Sequence, residues 1–169
     1  MVQGIIIPAD NNTPLTAATF EKPEDLDRAV DGWAEAVHIP HVGVTMHLNL
    51  EGSNRQLPCN RRATFLWWFY IPAARGEARI LGDVMIVGLT DEAGEATDLP
   101  VDLRRLLLEP GTYRVRSRER GGSRWHEEPI ERDDYLEAVI WTMLLMELAP
   151  GLEVRIDRIE VTMNGSNQP

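Results

Sequence analysis

Residues 112–130 read TYRVRSRERGGSRWHEEPI. Tyr113, Val115 and Ser117 alternate with Arg114, Arg116 and Arg118, and a period of two places one set on each face of a strand. Gly121-Gly122 turns the chain, so that Ser123 to Ile130 returns as the second arm of a hairpin. A helix is expected next, from Asp134 to Leu148, capped by Asp133, apolar almost all round and ended by Ala149-Pro150-Gly151. A strand over Leu152 to Met163 closes the pattern. There Val154 and Ile156 share one parity and Ile159, Val161 and Met163 the other, which predicts a bulge near Asp157-Arg158.

Working back from this hairpin, Pro100 to Leu108 reads as a short helix, preceded by an acidic loop over Asp91 to Asp98. Arg79 to Leu89 is a nearly continuous apolar run, the signature of a strand covered on both faces, with a bulge expected at Gly82-Asp83. Asn60 is placed to cap a helix through Tyr70 that Pro72 ends. Glu35 to Leu50 is strand material broken at Pro40 and Gly43. A helix starting at Pro23 and ending near Gly32 puts Leu26, Ala29, Val30 and Trp33 on one face. Ile5-Ile6-Ile7 and Leu15 to Phe20 form an opening hairpin. Roughly seven strands and three or four helices, out of regular βαβ order, give an α+β fold with a mixed, mainly antiparallel sheet. The expected organisation is a core unit over 1–90, an α+β extension over 99–163 packed with it as one domain, and a disordered tail over 164–169.

Three stretches carry a resemblance: Asn49-Leu50-Glu51-Gly52, then Leu57-Pro58-Cys59-Asn60-Arg61-Arg62-Ala63-Thr64, then Ile80-Leu81-Gly82-Asp83-Val84-Met85-Ile86-Val87-Gly88. Over about residues 1–90 the chain resembles domain of unknown function 3846, an uncharacterised family of actinobacteriophages and bacteria. The resemblance implies a small phage- or prophage-encoded product of the kind that binds host machinery. It leaves the second half unmatched.

The chain of 169 residues carries 17 basic and 27 acidic residues and a net charge of −10. That balance argues against the overall footprint of a nucleic-acid binder and suits a basic partner. Sixteen of the basic residues are arginine, a bias of GC-rich coding. Cys59, the single cysteine, cannot form an internal disulfide, which fits a cytoplasmic protein. No apolar block reaches the ~20 residues of a bilayer span, and no signal peptide is read at the N-terminus. No membrane association is expected.

Four constellations have residue types that could carry chemistry. Asn60, Arg61 and Arg62 at a helix start offer free N–H groups, a positive helix end and two guanidinium forks, the makings of an anion or nucleotide site. His38, His41 and His47 are weak candidates for a metal, since their spacing follows no zinc motif and an unbroken strand would turn His38 away from the other two. Arg114, Arg116, Arg118 and Arg124 with Trp125 form a nucleic-acid candidate, disfavoured by the acidic remainder. Trp67, Trp68, Phe69 and Tyr70 cannot all face one core at ~100° per residue, so at least one is expected at the surface or an interface.

No catalytic signature is read: Cys59 lacks a cysteine-protease context, no Gly-x-Ser-x-Gly elbow occurs, and Glu127-Glu128 and Asp133-Asp134 sit at turn and cap positions. The expectation is a non-enzymatic protein that needs no cofactor. It would bind and modulate a host protein through Trp67, Trp68, Tyr70, Glu127, Glu128, Asp133 and Asp134, with charge mimicry of nucleic acid as one version and a homodimer through the 134–148 helix as a further expectation. The alternative is the small-ligand site, with or without enzymatic activity, at Asn60.

Overall fold

Val84, Met85, Ile86 and Val87 are all fully buried, as the unbroken apolar run requires of a strand with no wet face. A computed structural model describes residues 1–159 of the chain and places this strand at the middle of a five-stranded sheet. Its elements are β1 (Val2–Ile7), β2 (Thr16–Phe20), β3 (Ala34–Ile39), β4 (Val44–Asn49) and β5 (Val84–Gly88), in the order β2-β1-β5-β4-β3. Every pairing in it is antiparallel. With them run α1 (Pro23–Ala29), α2 (Arg61–Tyr70) and α3 (Val101–Leu108).

The chain divides into two compact units, residues 1–109 and 110–169. In the second, β6 (Thr112–Glu119), β7 (His126–Arg132) and β8 (Leu152–Ile159) form an antiparallel sheet in the order β7-β6-β8, and α4 (Tyr135–Leu148) joins β7 to β8. Two antiparallel sheets and four α-helices among the described residues make the fold α+β. The expected end of the last strand at Met163 and the tail 164–169 lie outside the described residues.

One sheet face in the first unit is sealed by Ile5, Ile7, Val44, Met46 and Ile86, all fully or almost fully buried. The register sets Ile5 and Met46 on either side of Ile86. The opposite face holds a smaller cluster of Phe20, Val30, Met85 and Val87, with Leu26 and Ala29 of α1 packed against it. In the second unit Tyr113, Val115 and Ser117 point inward and are buried. Tyr135 of α4 meets the Tyr113 ring edge-on at 5.5 Å.

Five details differ from the sequence reading. The strand expected over 79–89 begins only at Val84, because Gly82 adopts φ 76 in a turn and Leu81 makes an isolated bridge to Cys59. Helix α1 stops at Ala29: Asp31 takes φ 54, and Asp27 Oδ1 accepts from Ala34 N at 2.8 Å, so Trp33 leaves the helical face. The cap of α4 is Asp134, whose carboxylate accepts from Glu137 N at 3.0 Å. No bulge occurs at Asp157-Arg158; β8 pairs with β6 without interruption from Leu152 to Ile159, and the irregularity falls between Arg114 and Arg116 on the β7 side. Finally, the 91–109 segment goes with the first unit, since Leu99 N donates to Gln3 O at 2.8 Å and Gly88 N to Thr97 O at 2.9 Å.

Candidate functional site

Asn60 is completely buried and every polar group it has is engaged. Its Oδ1 accepts from Ala63 N at 3.0 Å, the capping bond that starts α2. Its Nδ2 donates to Ile7 O at 2.8 Å and to Gly82 O at 3.0 Å, while its own N–H donates to Ile80 O at 2.9 Å. Four residues on, Thr64 Oγ1 accepts from Ile80 N at 3.0 Å. Arg62 donates to the carbonyls of Pro8 and Asp10 at 2.7 and 2.8 Å. Only Arg61 of the expected anion cradle is exposed. The box is therefore a tie between β1, α2 and the 80–82 segment. Cys59 is an exposed free thiol beside it.

The histidines are sorted by a reversal of the chain. Pro40–Val42 forms a 3-10 turn and β4 runs back along β3, pairing His38 with Thr45 and Ala36 with His47. His38 and His47 thus share one face, contrary to the unbroken-strand reading, and exposed His41 sits apart in the turn. His38 Nδ1 lies 3.0 Å from Thr45 Oγ1. Burial, and after it the neighbouring His38, hold the His47 imidazole below its ordinary range. Among the described residues no cluster of three or more His, Cys, Asp or Glu side chains is placed to hold a metal.

The arginine ladder is neutralised by carboxylates that strand pairing brings beside it. Arg114 pairs with Glu127 at 2.6 Å and with Glu131. Arg116 contacts Glu127 at 2.6 Å and Asp157 at 3.2 Å, Arg118 contacts Glu153 at 2.5 Å, and Arg155 contacts Asp157 at 3.3 Å. Trp125 carries the guanidinium groups of Arg118 and Arg155 at 4.5 and 4.4 Å from its ring centre, so both its cationic neighbours also belong to the network. Exposed Arg124 takes no part in it. Of the acids proposed for a partner, Glu127 is shared between two arginines and Asp134 caps α4; Glu128 is half-buried and Asp133 exposed.

The aromatic run of α2 is half-buried at all four positions. Trp68 Nε1 donates to Ala78 O at 3.0 Å and its ring meets Phe65 edge-on, while Phe69 and Tyr70 pair with each other. The helix spreads them around its circumference, so none is fully buried and none fully exposed. The exposed aromatic is Trp33, at 74% of its free area, followed across the β3–β4 hairpin by Leu50 at 59%. Leu50 N donates to Trp33 O at 2.9 Å, which makes the two neighbours at the hairpin's open end. Around them Asp27, Asp31, Glu35 and Glu51 are exposed, with Arg55 paired to Asp31 at 2.6 Å. Sequence periodicity hid this site by assigning Trp33 to the inner face of α1. The adjoining Asp31-Gly32, a pair that tolerates positive φ, was the signal against that assignment.

No curated protein and no solved structure matches the chain. No helix among the described residues is long and apolar enough to cross a membrane. A family model does match, over residues 2–112. It extends past the expected limit at residue 90 and covers the first unit to its end at residue 109 and three residues beyond. The matched region thus includes the 97–99 segment stitched to β1 and β5, and its Asn60 box is built into the fold. The chain belongs to the family described as a domain of unknown function (DUF3846).

Proposed function

We propose that the protein is a non-enzymatic, phage- or prophage-encoded binding protein that engages a host protein in the cytoplasm. One observation carries this reading: Trp33 and Leu50 stand exposed side by side, with the carboxylates of Asp27, Glu35 and Glu51 exposed around them and Asp31 paired to Arg55. A large aromatic beside an aliphatic residue is the usual centre of an interface hot spot. The acidic rim selects a partner with a basic surface around an apolar recess and speeds its approach. Charge mimicry through the 127–134 acids has less support, because Glu127 and Glu131 are spent on Arg114 and Arg116.

The test is a nuclease-treated pull-down from an actinobacterial lysate, with the wild type and Trp33→Asp as parallel baits. The expected result is one host protein enriched by the wild type and lost with the variant, whose circular dichroism is unchanged. Equal capture by both baits would overturn the assignment of the site. A second copy of the chain is a further partner in this reading, supported by Leu144 and Leu148, one turn apart on α4 and 43% and 80% exposed.

A further inference from the structure

The sheet face opposite Ile5 and Ile86 contains a hollow of about 250 Å³. Its floor is Thr45 and His47 of β4 with Val87 of β5. Pro23 and Leu26 of α1 form one wall, and Gly94, Glu95 and Ala96 of the following loop another. The register explains the grouping: Thr45 pairs with Val87, and His47 lies two residues along the same side of β4. Phe20 and Val87 belong to the buried cluster of this face, with Leu26 and Ala96 at its margin.

His47 distinguishes the hollow from an ordinary packing gap. It is half-buried and lines the hollow, and its ring nitrogens are not among the buried polar atoms sealed from solvent, so they stay open to a bound group. A neutral imidazole presents one donor and one acceptor nitrogen, and both can exchange water for the edge of a ligand. Beside it the Thr45 hydroxyl, almost fully buried, is shared with His38 Nδ1 at 3.0 Å.

Size and charge define the occupant. The volume falls just below the ~300 Å³ at which pockets for drug-sized ligands begin, room for a single ring system. Lys22 faces Glu21 and Glu95 at the rim, so a phosphate or carboxylate would meet more negative than positive charge. Apolar walls favour a flat ring, and the floor asks for an edge carrying a donor beside an acceptor. Nucleobases have that edge; benzene and indole do not. We propose that this hollow binds an uncharged heteroaromatic ring of the nucleobase class, with its hydrogen-bonding edge on His47 and Thr45.

The experiment is an NMR titration of the intact protein with adenine, cytosine and uracil, with indole and inorganic phosphate as controls. At least one base is expected to shift the His47 ring signals and the amides of 20–22, 24–26 and 94–96 saturably, and phosphate to leave them unmoved. Ala96→Phe, which fills the hollow from the loop, should weaken that base at least tenfold. If Ala96→Phe does not fold, His47→Leu takes its place, with the same loss expected. No saturable shift from any base, indole binding as tight as the bases, or base binding that survives the folded variant would each overturn the proposal.

Discussion

The Asn60 amide donates to the carbonyl of Ile7 across 53 positions of sequence, at 2.8 Å and out of reach of water. The same amide holds Gly82 O, and its oxygen caps α2. Asn60→Ala therefore removes a cap, worth about 1 kcal/mol, and strands two carbonyls whose unmet burial costs about 1–3 kcal/mol each. A loss of about 3–7 kcal/mol in urea unfolding is expected. Asn60→Ser restores an N-cap without the amide and should recover only the smaller, capping part.

Gly88 lies under the 97–99 segment, which the family match includes. A Cβ built there would lie 2.2 Å from Thr97 Oγ1 and 2.4 Å from Asp98 O, so the 97–99 segment can lie on β5 only because the position is glycine. Gly88→Ala should destabilise by about 1–3 kcal/mol, as overpacking does. Hydrogen exchange at the Leu99 amide, which donates to Gln3 O, should accelerate, while exchange in β3 stays as in the wild type.

Local patterns were legible where the chain answers them locally. The hairpin alternation at 112–118, the apolar β5 and the Asn60 cap could each be read from neighbours in sequence. What Asn60 does beyond capping could not, because Ile7 and Gly82 are 53 and 22 positions away. The β8 partners of the arginine ladder were out of sight for the same reason: Glu153 lies 35 positions from Arg118, and only the β6–β8 register brings them together. Parity failed on β8 because continuous pairing with β6 sets Arg158, which is exposed, opposite Tyr113 and leaves Ile159 opposite Thr112. Ladder hydrogen bonds outweighed the apolar pattern there.

His47 sets a pH dependence whose sign is fixed. Its imidazole is held below the ordinary range by burial first and by His38 second, with the Asp27 carboxylate pulling the other way. The folded protein then takes up a proton less readily than the unfolded chain. The stability this confers is complete above about pH 6.5, the unfolded value, and is lost as pH falls toward the folded value. The urea midpoint should decline between pH 7.5 and 5.5, and His47→Gln should flatten that decline. Asp10 and Asp25, held low chiefly by hydrogen bonds from backbone amides, add a loss of the same sign below the ordinary carboxylate range.

On the outer face of β6, Arg114, Arg116, Arg118 and Arg155 meet Glu127, Glu131, Glu153 and Asp157. Four charges of each sign leave no excess for phosphates, so the wild type should not retard DNA or RNA at physiological salt. Removing carboxylates uncovers the arginines. Glu127→Gln combined with Glu153→Gln should create a salt-dependent mobility shift, since each freed arginine can then displace a counterion. A wild-type shift equal to the variant's would mean that the arginines are free in solution.

Trp33 and Trp68 provide the sharpest separation between folding and binding. Trp68 donates to Ala78 O and packs edge-on against Phe65, so Trp68→Ala loses a hydrogen bond of about 1 kcal/mol and an aromatic pair of about 0.5–1.5 kcal/mol. Its unfolding free energy should fall by about 2 kcal/mol. At Trp33 only the backbone is engaged, through its carbonyl to Leu50, and the side chain stands in solvent. Trp33→Ala should leave stability within about 0.5 kcal/mol of the wild type while it removes the apolar centre of the proposed interface. Urea unfolding of the two variants, read beside their partner capture, gives opposite patterns if Trp33 serves binding: Trp68→Ala less stable but competent, Trp33→Ala stable but silent. A Trp33 variant as unstable as the Trp68 variant would instead make Trp33 part of the fold.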